Sequence, residues 1–247
     1  MAPKSKPKSK HSKSQSSDPS ALKTLAKTPP QRPNWPTFTP LVPTLDLTVT
    51  SLLPNQILLI PNFFTTTLCR TYTTFLSTLP LTTTPGKPKR GEAVRVNDRF
   101  QVHDPTFAQM LWTQTSLQEL VTHFDNPSIW GGEVLGLNPN IRVYRYRPEQ
   151  FFDKHYDESN QLNVGEPSIG AKTTWTLLIY LSRCEGGETV FYPEGPKHGP
   201  IPEPIVAEVE PGQALLHRHG DDCLLHEGRE VKGGEKWVLR SDLVVKR

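Results

Sequence analysis

The sequence predicts an α+β fold in which a helical layer packs on a double-sheet jelly roll. Two observations carry this. Segments with helical spacing come first and short β-branched and aromatic segments follow from residue 137 on, and no strand–helix alternation links the later segments, which disfavours a doubly wound sheet.

In chain order, MAPKSKPKSKHSKSQSSDPS alternates Lys, Ser and Pro and offers almost nothing to bury. Such a stretch does not offset the entropy of ordering, so it is expected to be disordered. Lysines 4, 6, 8, 10, 13, 23 and 27 against Asp18 give the first 27 residues a charge of +6. The whole chain carries +3, so the remainder carries −3. The basic balance belongs to the tail, which leaves nucleic acid open as a partner through that tail. PPQRPNWPTFTP (29–40) reads as an extended proline-rich linker. Residues 1–40 are therefore assigned to a disordered tail and 41–247 to one folded domain, with its barrel core at about 137–247.

In TTTLCRTYTTFLSTL (65–79), Leu68, Tyr72, Phe75 and Leu79 follow the 3–4 spacing of a helix. TTTPGKPKRGE (82–92) reads as a loop. DPTFAQMLWTQTSLQELVTHF (104–124) predicts one or two helices, with Asp104 as N-cap and Pro105 at the first helical position. RVNDRFQVHD (95–104) is dense in polar residues for a segment between helical stretches and reads as a loop. IRVYRYR (141–147), TTWTLLIYL (173–181), ETVFY (188–192), PIVAEVE (204–210), QALLHRH (213–219) and KWVLRSDLVV (236–245) are expected strands.

Cys69, Cys184 and Cys223 are an odd count with no CxxC spacing, which suggests a reducing compartment rather than a disulfide-stapled secreted domain. No apolar run reaches the ~18–20 residues of a spanning helix. The expectation is a soluble, intracellular protein, cytoplasmic or nuclear.

FFDKHYDES (151–159) places His155 and Asp157 two apart behind an apolar run. Alone the pair is weak evidence. Downstream, His217, His219 and His226 cluster within ten residues and offer a third ligand, together with Cys223. Two imidazoles and one carboxylate are the ligand set of non-haem Fe(II) centres, which leave positions open for a chelating cosubstrate and O₂. Lys236, Val238 and Arg240 share one parity and so one strand face. A buried cation without an anion is costly, so either of the two would imply a carboxylate ligand.

Three segments together resemble a known family. YRPEQFFDKHYDE (146–158) is similar to a Tyr-x8-His-x-Asp segment, TLLIYLSRCEGGETVFY (176–192) to a strand followed by Gly-Gly-Glu-Thr, and HEGREVKGGEK (226–236) to a His-x9-Lys segment. Across roughly residues 55–245 the chain resembles the 2-oxoglutarate/Fe(II)-dependent oxygenases of the prolyl 4-hydroxylase catalytic-domain type. The resemblance implies a double-stranded β-helix (jelly roll). It makes His155, Asp157 and His226 the iron ligands, and Lys236, assisted by Tyr146, the anchor of the distal carboxylate of 2-oxoglutarate. Arg240 is the second candidate for cosubstrate binding. The segment before the first barrel strand often walls the substrate entrance in that fold, which makes Asn97, Asp98 and Arg99 candidate substrate contacts. The implied cofactors are Fe(II), 2-oxoglutarate and O₂, with ascorbate as a reductant of oxidised iron. The implied reaction hydroxylates a C–H bond, most simply of a prolyl side chain in a protein or peptide, and releases succinate and CO₂. Secretory members begin with a signal or anchor, whereas a basic tail stands here, so the resemblance is closest to a soluble intracellular branch. The alternatives are the same chemistry on a small molecule or nucleobase, and a non-catalytic barrel that only binds.

Overall fold

Alternating apolar residues in IRVYRY and KWVLRSDLVV place one face of each strand against a helical layer and the other against the interior of a barrel. The computed structural model describes residues 32–247, apart from 85–87, 89–90 and 196–197. Most of the expected tail, and the basic part of the 82–92 loop, lie outside the described residues.

The larger sheet has ten antiparallel strands. Its centre runs Ala214–Arg218, Ile169–Tyr180, Lys236–Lys246, Asn140–Tyr146 and Asp98–His103. The smaller sheet has five strands in the order Ile205–Ala207, Thr189–Tyr192, Leu225–Gly228, Phe151–His155 and Arg95–Val96. The chain is thus mostly β with few helices, in line with a jelly roll.

The first helix, α1, spans Thr66–Leu76, and the Thr65 hydroxyl accepts from the Leu68 N–H. The second, α2, spans Pro105–Thr113. The Asp104 carboxylate accepts from the Phe107 N–H, which satisfies one of the orphan donors at its start. The third, α3, spans Leu117–Thr122. Leu68, Tyr72 and Leu76 of α1 and Phe107, Leu111 and Trp112 of α2 share one core with Ile141, Val143, Trp175, Leu177 and Leu239 of the larger sheet.

Two sequence expectations are corrected. The domain does not begin at residue 41. Phe38 is buried, Trp35 stacks on Phe107 with ring centroids 4.0 Å apart, and the Trp35 indole N–H donates to Asp104. The described part of the proline-rich segment is clamped to the helical layer through Trp35 and Phe38. RVNDRFQVHD is also not a loop. It supplies the strands Arg95–Val96 and Asp98–His103, one to each sheet. Its polar residues are accommodated by partners far away in sequence: Asp98 accepts from Arg145 at 2.8 Å and pairs with Arg147 at 3.2 Å.

Candidate active site

His155 ends the strand Phe151–His155, and His226 lies in the neighbouring strand Leu225–Gly228. The two are Cα partners across the smaller sheet, so both imidazoles stand on its inner face. Asp157 follows two residues beyond the strand end. Its own N–H donates to the Cys223 sulfur at 3.2 Å and its carbonyl accepts from the Gly220 N–H at 2.8 Å, which fixes the loop.

The donor atoms of His155, Asp157 and His226 all lie within 4.8 Å of one another. The Nδ1 of His155 is 2.8 Å from the Asp153 carbonyl, and that of His226 is 2.9 Å from the Leu224 carbonyl. A carbonyl only accepts, so each Nδ1 carries the proton and each Nε2 keeps its lone pair. Both Nε2 atoms face Asp157, at 3.8 and 3.9 Å. Burial holds both imidazoles below their usual pKa, His155 down to about 3. Burial pushes the Asp157 carboxyl upward, but the Arg240 guanidinium beside it outweighs burial and holds that carboxyl well below the usual range. Two neutral imidazoles and one carboxylate are the protonation state a divalent metal requires. The residues therefore fit an Fe(II) ion, and His155 Nε2, His226 Nε2 and an Asp157 oxygen are donors that could hold it.

His217, the rival ligand, also reaches the site. It is buried, and its Nε2 lies 3.7 Å from Asp157 Oδ2. His217, Cys223 and His226 form a second close group of potential donors. The His226 nitrogen that faces the Cys223 sulfur is the Nδ1 already bonded to Leu224, and burial raises that thiol to about 11, so Cys223 is a poor ligand. His219 points elsewhere. Its Nδ1 is 2.9 Å from the Thr176 hydroxyl, which in turn donates to Asp157 Oδ2 at 2.9 Å.

Lys236 and Tyr146 are Cα partners across the larger sheet, and both line the same pocket as the three candidate ligands. Lys236 is 4% exposed. Its ammonium donates to the Gly187 carbonyl at 2.6 Å and to the Thr189 hydroxyl at 3.4 Å, beside the Tyr146 and Tyr180 rings. Burial lowers it to about 8. No carboxylate among the described residues forms an ion pair with it. The Gly-Gly-Glu-Thr segment builds this end of the pocket. Gly186 and Gly187 both have φ near +75°, and a Cβ on Gly186 would lie 2.4 Å from the Glu230 carbonyl.

Arg240 lies on the same strand face, but toward the metal end. Its guanidinium is 2.8 Å from Asp157 Oδ2, and its Nε is 3.6 Å from Asp242. Asn97 and Asp98 are buried, Asn97 bonded to the Thr84 hydroxyl and Asp98 to Arg145. Arg99 is partly exposed. Sequence reasoning did not find Thr176, which lay unremarked in TTWTLLIYL, or Phe152, whose ring stacks on His155 at 3.5 Å.

Residues 141–241, which span both histidine segments and Lys236, match the profile of the 2OG-Fe(II) oxygenase superfamily. The matched segment is similar to that superfamily over less than half of the chain. Prolyl 4-hydroxylase 1 of Arabidopsis thaliana is 34% identical over 109 residues, 39% of this chain and 38% of that protein. The match thus covers well under two thirds of that relative. A prolyl 4-hydroxylase of Pseudomonas putida superposes with a TM-score of 0.53 at 14% identity, over 78% of this chain and 94% of that one. A Trichoplax adhaerens prolyl hydroxylase, solved with a hypoxia inducible factor peptide fragment, gives 0.53 at 16% identity over 77% and 84%. At these identities the two structures share the fold. Among the described residues no helix is long and apolar enough to cross a membrane.

Proposed function

We propose that this chain is an Fe(II)- and 2-oxoglutarate-dependent dioxygenase that hydroxylates a C–H bond of a protein side chain, prolyl first, with release of succinate and CO₂. The observation that carries the reading is one pocket lined by the His155, Asp157 and His226 donors and by a buried lysine with no carboxylate paired to it among the described residues.

Bound Fe(II) supplies the O₂-activating chemistry, and the chain supplies placement. His155 and His226 present lone pairs fixed by backbone carbonyls, and Asp157 presents one charged oxygen while Arg240 and Thr176 hold the other. Lys236 binds the distal carboxylate of 2-oxoglutarate, with Tyr146 beside it. That orients the α-keto acid end toward the metal ligands. Burial makes this ion pair strong by excluding water. Arg240 is committed to Asp157 in this reading, which leaves Lys236 as the cosubstrate anchor. Of the three candidate substrate contacts, Arg99 is the one that is not buried, while Asn97 and Asp98 are bonded to Thr84 and Arg145. The Arabidopsis and Trichoplax relatives support a prolyl peptide as the substrate class.

The test is anaerobic addition of Fe(II) and 2-oxoglutarate, watching for a metal-to-ligand charge-transfer band. A screen of prolyl peptides for succinate release, with ascorbate present, follows. Absence of the band at saturating iron and cosubstrate would overturn the reading.

A further inference from the structure

Beyond the metal ligands, the inner face of the larger sheet continues onto the strand Asp98–His103. Arg99 is the Cα partner of Tyr144, so the two side chains stand on the same face, and Tyr144 lines the metal pocket. Arg95 comes from the other sheet. Its guanidinium lies 4.8 Å from the Phe152 ring and 5.9 Å from the Tyr144 ring. Phe152 in turn stacks on His155. Two guanidiniums thus flank the pocket, and one of them is a single ring removed from a metal ligand.

These two differ from the other arginines nearby. Arg142, Arg145, Arg147 and Arg240 each pair with a buried aspartate. Among the described residues, no ion pair joins Arg95 or Arg99 to a carboxylate, and Arg99 holds only the Gln101 side chain. Neighbouring cations repel, and partial burial sharpens the repulsion. A pair kept in this state is relieved by an anion that arrives with a ligand. The planar fork of a guanidinium matches a carboxylate or phosphate in two parallel bonds. Glu227, which also lines the pocket, is tied down by the Tyr192 hydroxyl at 2.5 Å.

We propose that Arg95 and Arg99 form an anion-reading subsite, so that the substrate is a peptide with an acidic side chain, carboxylate or phosphate, close to the hydroxylated residue. The inference rests on the peptidyl dioxygenase reading of the same pocket, and it assigns the specificity of that pocket.

The test uses the full chain loaded with Mn(II) and 2-oxoglutarate, which allows binding without turnover. Fluorescent ten-residue peptides with one central proline carry flanking Glu, phosphoserine, Gln or Lys, and anisotropy reads their affinity. At least one anionic peptide should bind about tenfold or more tightly than the Gln peptide, the scale of a charge-assisted bond. The Glu and phosphoserine arms tell the two anion sources apart. Arg95→Gln combined with Arg99→Gln should erase the preference, and Arg99→Glu should transfer it to the Lys peptide. Equal binding of all four peptides by the unsubstituted protein, no binding of any, or a preference that survives in the double variant would overturn the proposal. Should the double variant not fold, the Arg99→Glu swap decides. Succinate release with Fe(II) is read separately: an acidic peptide that binds selectively without turnover sinks prolyl hydroxylation and leaves the subsite standing.

Discussion

Arg240 and Asp157 form an ion pair at 2.8 Å, in which the guanidinium takes the Asp157 oxygen that the Thr176 hydroxyl also holds. This leaves Oδ1 as the oxygen facing His155. A carboxylate held at one oxygen binds a metal through the other, and supporting hydrogen bonds of this kind commonly contribute about 10–100-fold in metal affinity. Arg240→Gln is therefore expected to weaken Mn(II) binding by at least about tenfold, with Arg240→Lys recovering part of it. Isothermal titration with Mn(II) checks this. Unchanged affinity in Arg240→Gln would show that Asp157 needs no clamp.

The ligand assignment makes a sharper demand. Asp157→Ala and His226→Ala should each abolish stoichiometric metal binding and 2-oxoglutarate turnover, whereas His217→Ala should keep most of both. His217 comes as near to Asp157 as the other imidazoles do, so the contrast between His217→Ala and His226→Ala decides which pair coordinates. The reverse pattern would exchange their roles.

In the proposed reading, Lys236→Ala removes the buried cation that faces the distal carboxylate. A buried charge pair broken on one side costs about 3–5 kcal/mol, or more than roughly a hundredfold in affinity. The apparent requirement for 2-oxoglutarate should rise by that order while metal binding persists. A normal requirement in Lys236→Ala would move the anchor elsewhere.

The same lysine sets a pH dependence. Without ligand it loses its proton near pH 8, because burial depresses it from the ordinary lysine value. Binding needs the ammonium, so affinity for 2-oxoglutarate is full below about pH 8 and falls above it by up to about tenfold per unit. Lys236→Arg, always charged, should bind more weakly but with a flat profile over pH 7–9.5. Parallel profiles for the two proteins would assign the titration to another group.

Phe38→Ala tests the clamp of the proline-rich segment. Truncating a buried Phe costs about 3–5 kcal/mol, which in a domain of this size lowers the melting temperature by about 10 °C. A shift of a degree or less would show that the segment contributes little to the fold.

The candidate donors His155, Asp157 and His226, and Lys236, could be singled out in the sequence because each sits at a set spacing along or just beyond one or two strands. IRVYRY and KWVLRSDLVV were legible as strands for the same reason: their patterns are local. RVNDRFQVHD was not, because Arg95, Asn97, Asp98 and Arg99 are accommodated by Arg145, Arg147, Thr84 and Tyr144, and such pairings arise only when sheets assemble. Cys184–Gly186 and Val231–Gly234 are strands of three and four glycine-containing residues, too short for any alternation to show. The clamp on Asp157 escaped notice likewise. Thr176 and Arg240 lie 19 and 83 positions from the carboxylate, and nothing in either segment marks the meeting point.

His155 and His226 lie on neighbouring strands of the smaller sheet, and Asp157 is tethered through Thr176 and Arg240 to the larger one. An ion held by these three side chains acts as a rivet through both layers of the barrel. Whatever binds the folded chain alone adds to its resistance to unfolding in proportion to the logarithm of its free concentration. On the proposed reading, iron supply would govern how long each molecule lasts as well as how fast it works, and a chelator would shorten its lifetime in the way that mild heating does.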